Sequence, residues 1–146
     1  STSDASNLEA SYAQSRGTGF NSENKRRIMI GTYVLSSGYY DAYYKKAAKL
    51  RTKLINEFMD AYKTVDFLIG PTAPSTAPKI GENSDDPLKM YLLDIMTVPV
   101  NLVGVPAISI PCGSSDGMPV GVQIIGQSRM DKELLEFAKQ CEGALK

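Results

Sequence analysis

The chain has 146 residues, with 16 Lys and Arg against 16 Asp and Glu, no His, and 42% apolar residues. That length buries a one-domain core, while the lack of His excludes Ser-His-Asp, Cys-His and His-metal chemistry from this polypeptide acting alone. No apolar run reaches the roughly 18 residues of a membrane span, and no Arg-rich or charged leader opens the sequence.

Cys112 and Cys141 lie 29 positions apart, which suits neither a metal knuckle nor a disulfide framework. Both are expected as reduced thiols, which fits a cytoplasmic setting. The charges cancel globally but not locally. Residues 25–63 hold nine cations against three acids, and residues 64–146 hold six against ten. All eight prolines follow residue 70, and five of the eight tyrosines fall between 33 and 44. The first part should therefore be helical, and the second should alternate strands, turns and short helices.

Residues 1–7 are small and polar and are expected to be a disordered tail or an expression scar, with one folded portion over 8–146. The chain opens without Met, which suggests a fragment. Asn21 or Ser22 can cap a helix starting near Glu23. Gly31 and Ser36-Ser37-Gly38 predict a break near 36–38. Beyond it, Tyr43, Ala47, Leu50, Leu54, Phe58 and Tyr62 recur at helical spacing, with lysines on the other face. Val65–Ile69 is predicted as a buried strand closed by Gly70-Pro71.

A proline-punctuated loop then leads to Asp86, an N-cap with Pro87 at the first helical position. The helix it starts should run to about Val98, where Pro99 stops it. Ala107–Cys112 and Val120–Ile125 are predicted strands of an antiparallel hairpin, with Asp116-Gly117 within a loop of several residues. Asp131 should cap a last helix with Leu134, Leu135, Ala138 and Cys141 inward. The fold class is α/β, with helices packed on a small mixed sheet of about three strands.

Five features could carry chemistry. Lys25-Arg26-Arg27 could bind an anion, although three cations in the first turns of a helix oppose its dipole and a solvated helix start is the simpler account. The tyrosine block with Lys45 and Lys46 could stack on nucleic-acid bases, but such clusters more often pack among themselves. Asp94 sits among Leu92, Leu93, Ile95 and Met96, yet at 100° per residue it falls away from the Leu88, Tyr91, Leu92 and Ile95 face. The serine pairs Ser36-Ser37 and Ser114-Ser115 have neither a nucleophile elbow nor a base of the required type beside them. Cys112 lacks a His partner and reads as a structural thiol. Composition and spacing thus give an α/β domain with no self-contained catalytic set.

The stretches KRRIMIGTYVLSSGYYDAYYKKA (25–47), VDFLIGPTAP (65–74), DDPLKMYLLDIMTVPVNLVGVPAISIPCG (85–113) and DGMPVGVQIIG (116–126) add more. In order and spacing they resemble the C-terminal region of the A subunits of glutamyl-tRNA(Gln)/aspartyl-tRNA(Asn) amidotransferases, members of the amidase signature family. GPT-x-P and GVPAISIPCG…DG-x-P-VG-x-Q-IIG occur across amidases, whereas RRIMIGTYVLSSGYYDAYY and DDPLKMY are more particular to the tRNA-dependent subunits.

The resemblance implies a glutaminase component of protein biosynthesis. The A subunit releases ammonia from glutamine. Its partner B and C subunits, with ATP and Mg, use that ammonia to amidate Glu-tRNA(Gln) or Asp-tRNA(Asn). No cofactor is expected in this chain and no membrane contact. The family's catalytic Lys, its cis-bonded Ser and its nucleophilic Ser are absent from this sequence, as are the Gly/Ser-rich signature stretch and a pocket-lining Tyr. No catalytic residue is carried over, and the chain alone is expected to be inactive.

Two substrate-binding residues map by motif. Arg27, the second Arg of RRIM, would hold the glutamine α-carboxylate, and Asp94, before IMT-x-P, the α-amino group. A zwitterion suits a guanidinium fork at one end and a carboxylate at the other, and the two residues would then converge on one cavity. The resemblance also implies a large mixed sheet in the intact fold, so a chain holding three of its strands would expose an edge and self-associate. The alternatives are part of a stand-alone amidase of the same family acting on another amide, or a non-enzymatic module contacting RNA through the Tyr/Lys helix.

Overall fold

The structure, a computed structural model, describes residues 7–82 and 86–145. Residues 1–6 of the tail expected at 1–7, and Asp85 of the DDPLKMY motif, lie outside the described residues, whereas Asn7 is ordered as a helix cap. Two units are distinguished, Ser1–Leu50 and Arg51–Lys146, with the division falling inside one helix.

In the first unit, α1 (Leu8–Gly19) begins at Asn7, whose side chain accepts the Ala10 amide at 2.8 Å. This helix adds to the elements read from the sequence. α2 (Ser22–Leu35) is capped by Asn21, which accepts from the Asn24 amide at 2.9 Å and so satisfies one of the helix's orphan donors. The helix stops where expected. The Ser36 amide bonds back to Tyr33, and Gly38 takes φ 89°, a left-handed backbone that glycine adopts freely. The chain then forms a π-helical turn, Tyr40–Lys45, that runs into α3 (Lys46–Ala61).

That π turn alters the expected amphipathic face. Leu54 and Phe58 are half-buried and Tyr62 is buried, as their spacing predicts, but Tyr43 and Leu50 are exposed. A wider turn rotates Tyr43 off the stripe that follows, whereas Leu50 lies beyond that turn, within α3, and is exposed there.

The second unit is organised on a three-stranded sheet in the order β1-β3-β2, made of β1 (Leu68–Pro71), β2 (Ala107–Ser115) and β3 (Met118–Ile125). Both pairings are antiparallel, with Ile69 opposite Ile124 and Ile108 opposite Ile124 across the central strand. The α/β class and the strand number are as expected. The mixed pairing is not found among the described residues, because a tight hairpin forces β2 and β3 to run oppositely and β1 also pairs antiparallel to β3.

Several boundaries move for identifiable reasons. β1 starts later than the predicted Val65, because the Val65 amide still closes α3 by bonding to Ala61 at 3.3 Å. The hairpin loop is a two-residue turn, Asp116 and Gly117 at φ 51° and 76°, the paired left-handed geometry that twists two strands together. A bulge falls between Pro111 and Gly113. Proline lacks the ladder donor, and an edge strand with a bulge tolerates it.

The single helix expected from Pro87 to Val98 is two: α4 (Pro87–Leu92) and α5 (Val98–Val103), separated by turns. Asp86 caps α4 as predicted, accepting the Leu88 and Lys89 amides at 3.0 and 3.2 Å. Pro99 does not end a helix; it lies in the first turn of α5, where the missing N–H would have had no helical partner. Gly104, at φ 81°, terminates α5.

α6 (Asp131–Leu145) covers one sheet face. Asp131 is its first residue rather than its cap, and Met130 accepts the first helical bond, from Leu134. Leu134 and Ala138 are buried against Ile110 and Ile124, with Cys141 packed alongside. Leu135 points outward instead, 58% exposed, because 134, 138 and 141 form one stripe and 135 is turned 100° from it. Phe137 stacks on Phe67 at 4.5 Å in its place.

Candidate functional site

The sheet face opposite α6 carries the polar residues. Alternation puts Ser109, Gly121 and Gln123 on that face. Gly121 is required there: a Cβ would lie 2.8 Å from Ser109 Oγ and 3.2 Å from Thr72 Oγ1. These two hydroxyls share a hydrogen bond of 2.7 Å. Beside them runs a groove of about 750 Å³, lined in part by Thr72, Ser75, Thr76, Leu93 and Ser109. The GPTAP stretch thus forms one wall of a hydroxyl-rich depression.

Gln123 is the one buried polar side chain among the described residues, 5% exposed. Its Nε2 donates to the Pro71 carbonyl at 3.0 Å and the Met96 carbonyl at 2.9 Å. The end of β1 and the turns between α4 and α5 are therefore tied to the central strand. The available signal was its place in the motif DG-x-P-VG-x-Q-IIG, to which the sequence alone attaches no role.

Asp94 sits in those turns. Its carbonyl accepts from the Thr97 amide at 3.0 Å, the Val98 amide at 2.9 Å and Thr97 Oγ1 at 3.2 Å. The turn is thereby fixed around it while its side chain stays exposed.

Arg27 is in α2, in the other unit. Its Nε pairs with Glu23 at 2.9 Å, and Arg26 pairs with the same carboxylate at 3.1 Å. Lys25 donates to the Gly17 carbonyl near the end of α1 at 2.6 Å. One acid between two guanidiniums offsets part of the cost of cations at a helix start. The Arg27 side chain is 62% exposed on a fixed helix face.

The tyrosines contact one another. Tyr33 and Tyr39 are 4.3 Å apart between ring centroids, Tyr40 and Tyr44 4.9 Å, and Lys45 lies 5.7 Å over Tyr40. The hydrogen bond with Tyr39 raises the Tyr33 phenol above its ordinary value. Ser36 and Ser37 mark the helix break, while Ser114 and Ser115 end β2.

Cys112 and Cys141 are free and half-buried. Both line an apolar cleft of about 360 Å³ between the sheet and the end of α6. Among the described residues, no helix is long and apolar enough to cross a membrane.

A family model described as Amidase matches residues 2–135. The chain belongs to the amidase family. Among amidase relatives, it is 60% identical over 98% of its length to the A subunit of the glutamyl-tRNA(Gln) amidotransferase of Geobacillus thermodenitrificans, and covers 30% of that protein. The corresponding A subunit of Nostoc punctiforme is 54% identical over 97% of the chain and is covered to 29%. The chain therefore spans about 30% of the length of the curated relatives it matches.

Among solved structures, the glutamyl-tRNA(Gln) amidotransferase A subunit of Thermotoga maritima is 48% identical. It aligns over 86% of this chain and 28% of its own with a TM-score of 0.63. An amidase at 25% identity aligns over 92% of this chain and 31% of its own with a TM-score of 0.72. The amidase fold is thus shared beyond the A-subunit relatives.

Proposed function

We propose that this chain is a portion of the A subunit of a tRNA-dependent amidotransferase, the component that hydrolyses glutamine. Ammonia released there amidates Glu-tRNA(Gln) or Asp-tRNA(Asn) in a cytoplasmic complex with B and C subunits, where the partner uses ATP and Mg. The observation that carries this reading is the 60% identity to such an A subunit over 98% of the chain. The particular motifs RRIM and DDPLKMY favour it over a stand-alone amidase. The tyrosine rings that contact one another in pairs weaken the RNA-contact alternative.

In this reading Arg27 takes the glutamine α-carboxylate and Asp94 the α-ammonium group. Both are exposed side chains on locally fixed backbone: Arg27 on a capped helix, Asp94 in a turn closed by three hydrogen bonds to its own carbonyl. Neither group performs the bond cleavage, so the chain alone should release no ammonia.

The test uses the full-length protein. A charge-assisted hydrogen bond contributes about 1.5–3 kcal/mol, so Arg27→Ala and Asp94→Ala should each raise the glutamine KM roughly 10- to 100-fold. Unchanged glutamine kinetics in both variants would refute the assignment. Faster ammonia release from simple amides than from glutamine in the parent protein would favour the stand-alone amidase instead.

A further inference from the structure

We infer that Gln123 is a positioning residue for Asp94, latching the turns that carry Asp94 to the central strand of the sheet. The inference rests on the proposed glutamine-binding role of Asp94 and deepens it.

The burial of Gln123, its two hydrogen bonds and the place of its acceptors support it. Gln123 is 5% exposed in an otherwise apolar stretch of β3, where an amide is costly unless its hydrogens are bonded. Both of its amide hydrogens have acceptors: Pro71 O at 3.0 Å and Met96 O at 2.9 Å. These acceptors come from two separate segments, the end of β1 and the turns between α4 and α5. Met96 is also only two residues from Asp94, and the Asp94 carbonyl is held by Thr97 and Val98 immediately beyond it.

The turns carrying Asp94 have no long helix to stiffen them, since α4 and α5 are six residues each. The Met96 bond ties them by a side-chain hydrogen bond to the central strand, and the turn's internal bonds carry that tie to Asp94. Without that bond, the exposed carboxylate of Asp94 is free to drift from where a substrate ammonium would meet it. Displacement of such a group by about 1 Å costs up to about 100-fold in rate.

The experiment compares two substrates in the full-length protein: glutamine, and its desamino analogue glutaramate, which keeps the carboxylate and the amide but lacks the ammonium group. Asp94 acts only on the first. Gln123→Met keeps the side-chain length and removes both donors. Gln123→Glu keeps the volume and turns an oxygen toward the two carbonyls, which guards against one variant failing to fold.

Both variants should lower the preference for glutamine over glutaramate, in kcat/KM, by roughly 10-fold, mainly through the glutamine KM, and should leave the kcat on glutaramate near wild type. Amide hydrogen exchange at Thr97 and Val98 should speed up selectively.

If Asp94→Ala reduces the preference but both Gln123 variants retain it, the latch is wrong and the Asp94 assignment stands. If Asp94→Ala itself retains the preference, the glutamine-binding reading fails, and the latch with it. Equal losses on both substrates would show that Gln123 serves stability alone and would overturn the inference.

Discussion

The phenol of Tyr62, just beyond α3, donates to the Gly126 carbonyl just beyond β3 at 2.9 Å, joining two elements 64 positions apart. Both residues are buried, so Tyr62→Phe leaves an unpaired carbonyl and should cost about 1–2 kcal/mol, read from the urea midpoint. Burial also raises the Tyr62 phenol above its ordinary value of 10.0. On raising the pH, the unfolded chain loses this proton first. The stabilisation is therefore complete below pH 10 and declines as the pH climbs through the folded-state value. Wild type should lose stability more steeply than Tyr62→Phe between about pH 9 and 11, and parallel profiles would contradict this. Arg27 is the opposite case. Its pair with Glu23 is exposed, so Arg27→Ala should shift stability by less than about 0.5 kcal/mol while the glutamine KM rises. A large stability loss would mean that the residue serves the helix rather than a ligand.

At the scale of elements, the crowding beneath β3 is a measurable coupling. Gly121→Ala pushes a methyl group against Ser109 Oγ, 2.8 Å from the ideal Cβ position, and overpacking of this kind costs about 1–3 kcal/mol. Removing that oxygen first, in Ser109→Ala, should recover about 1 kcal/mol of the penalty in a double-mutant cycle. Strict additivity would show that the strand shifts instead. Caps and turns were the most legible elements. Asn21, Asp86 and Asp116-Gly117 act within three residues of themselves, and each does what its chemistry dictates. Pro99 is ambiguous in sequence because proline suits a helix's first turn as well as its end, and only the backbone before it distinguishes the two. The π turn carries no local sequence signal strong enough to predict it, so periodicity alone extends the face of α3 too far back.

For the whole molecule, the weight falls on apolar surface left uncovered. α1, α2 and the π turn contain no buried residue, and Leu8 and Met29 are 69% and 72% exposed. β1 and β2 are both edges of the sheet among the described residues. Such surface is a liability in water, so the isolated chain should self-associate with rising concentration in light scattering. A strict monomer at high concentration would argue against it. The sequence by itself determined the α/β class, the three strands, the local caps and, through motifs shared with relatives, the family, because these depend on short-range chemistry and on patterns preserved in order. It also singled out Arg27 and Asp94, though by motif rather than by periodicity. Only the tertiary structure decided that Gln123 ties the Asp94 turns to β3, that Thr72 and Ser109 meet over Gly121, and that Tyr62 closes on Gly126. Each of those contacts joins residues 27 or more positions apart. Hydrogen-bond partners that distant are set by sheet register and packing, which no local pattern encodes.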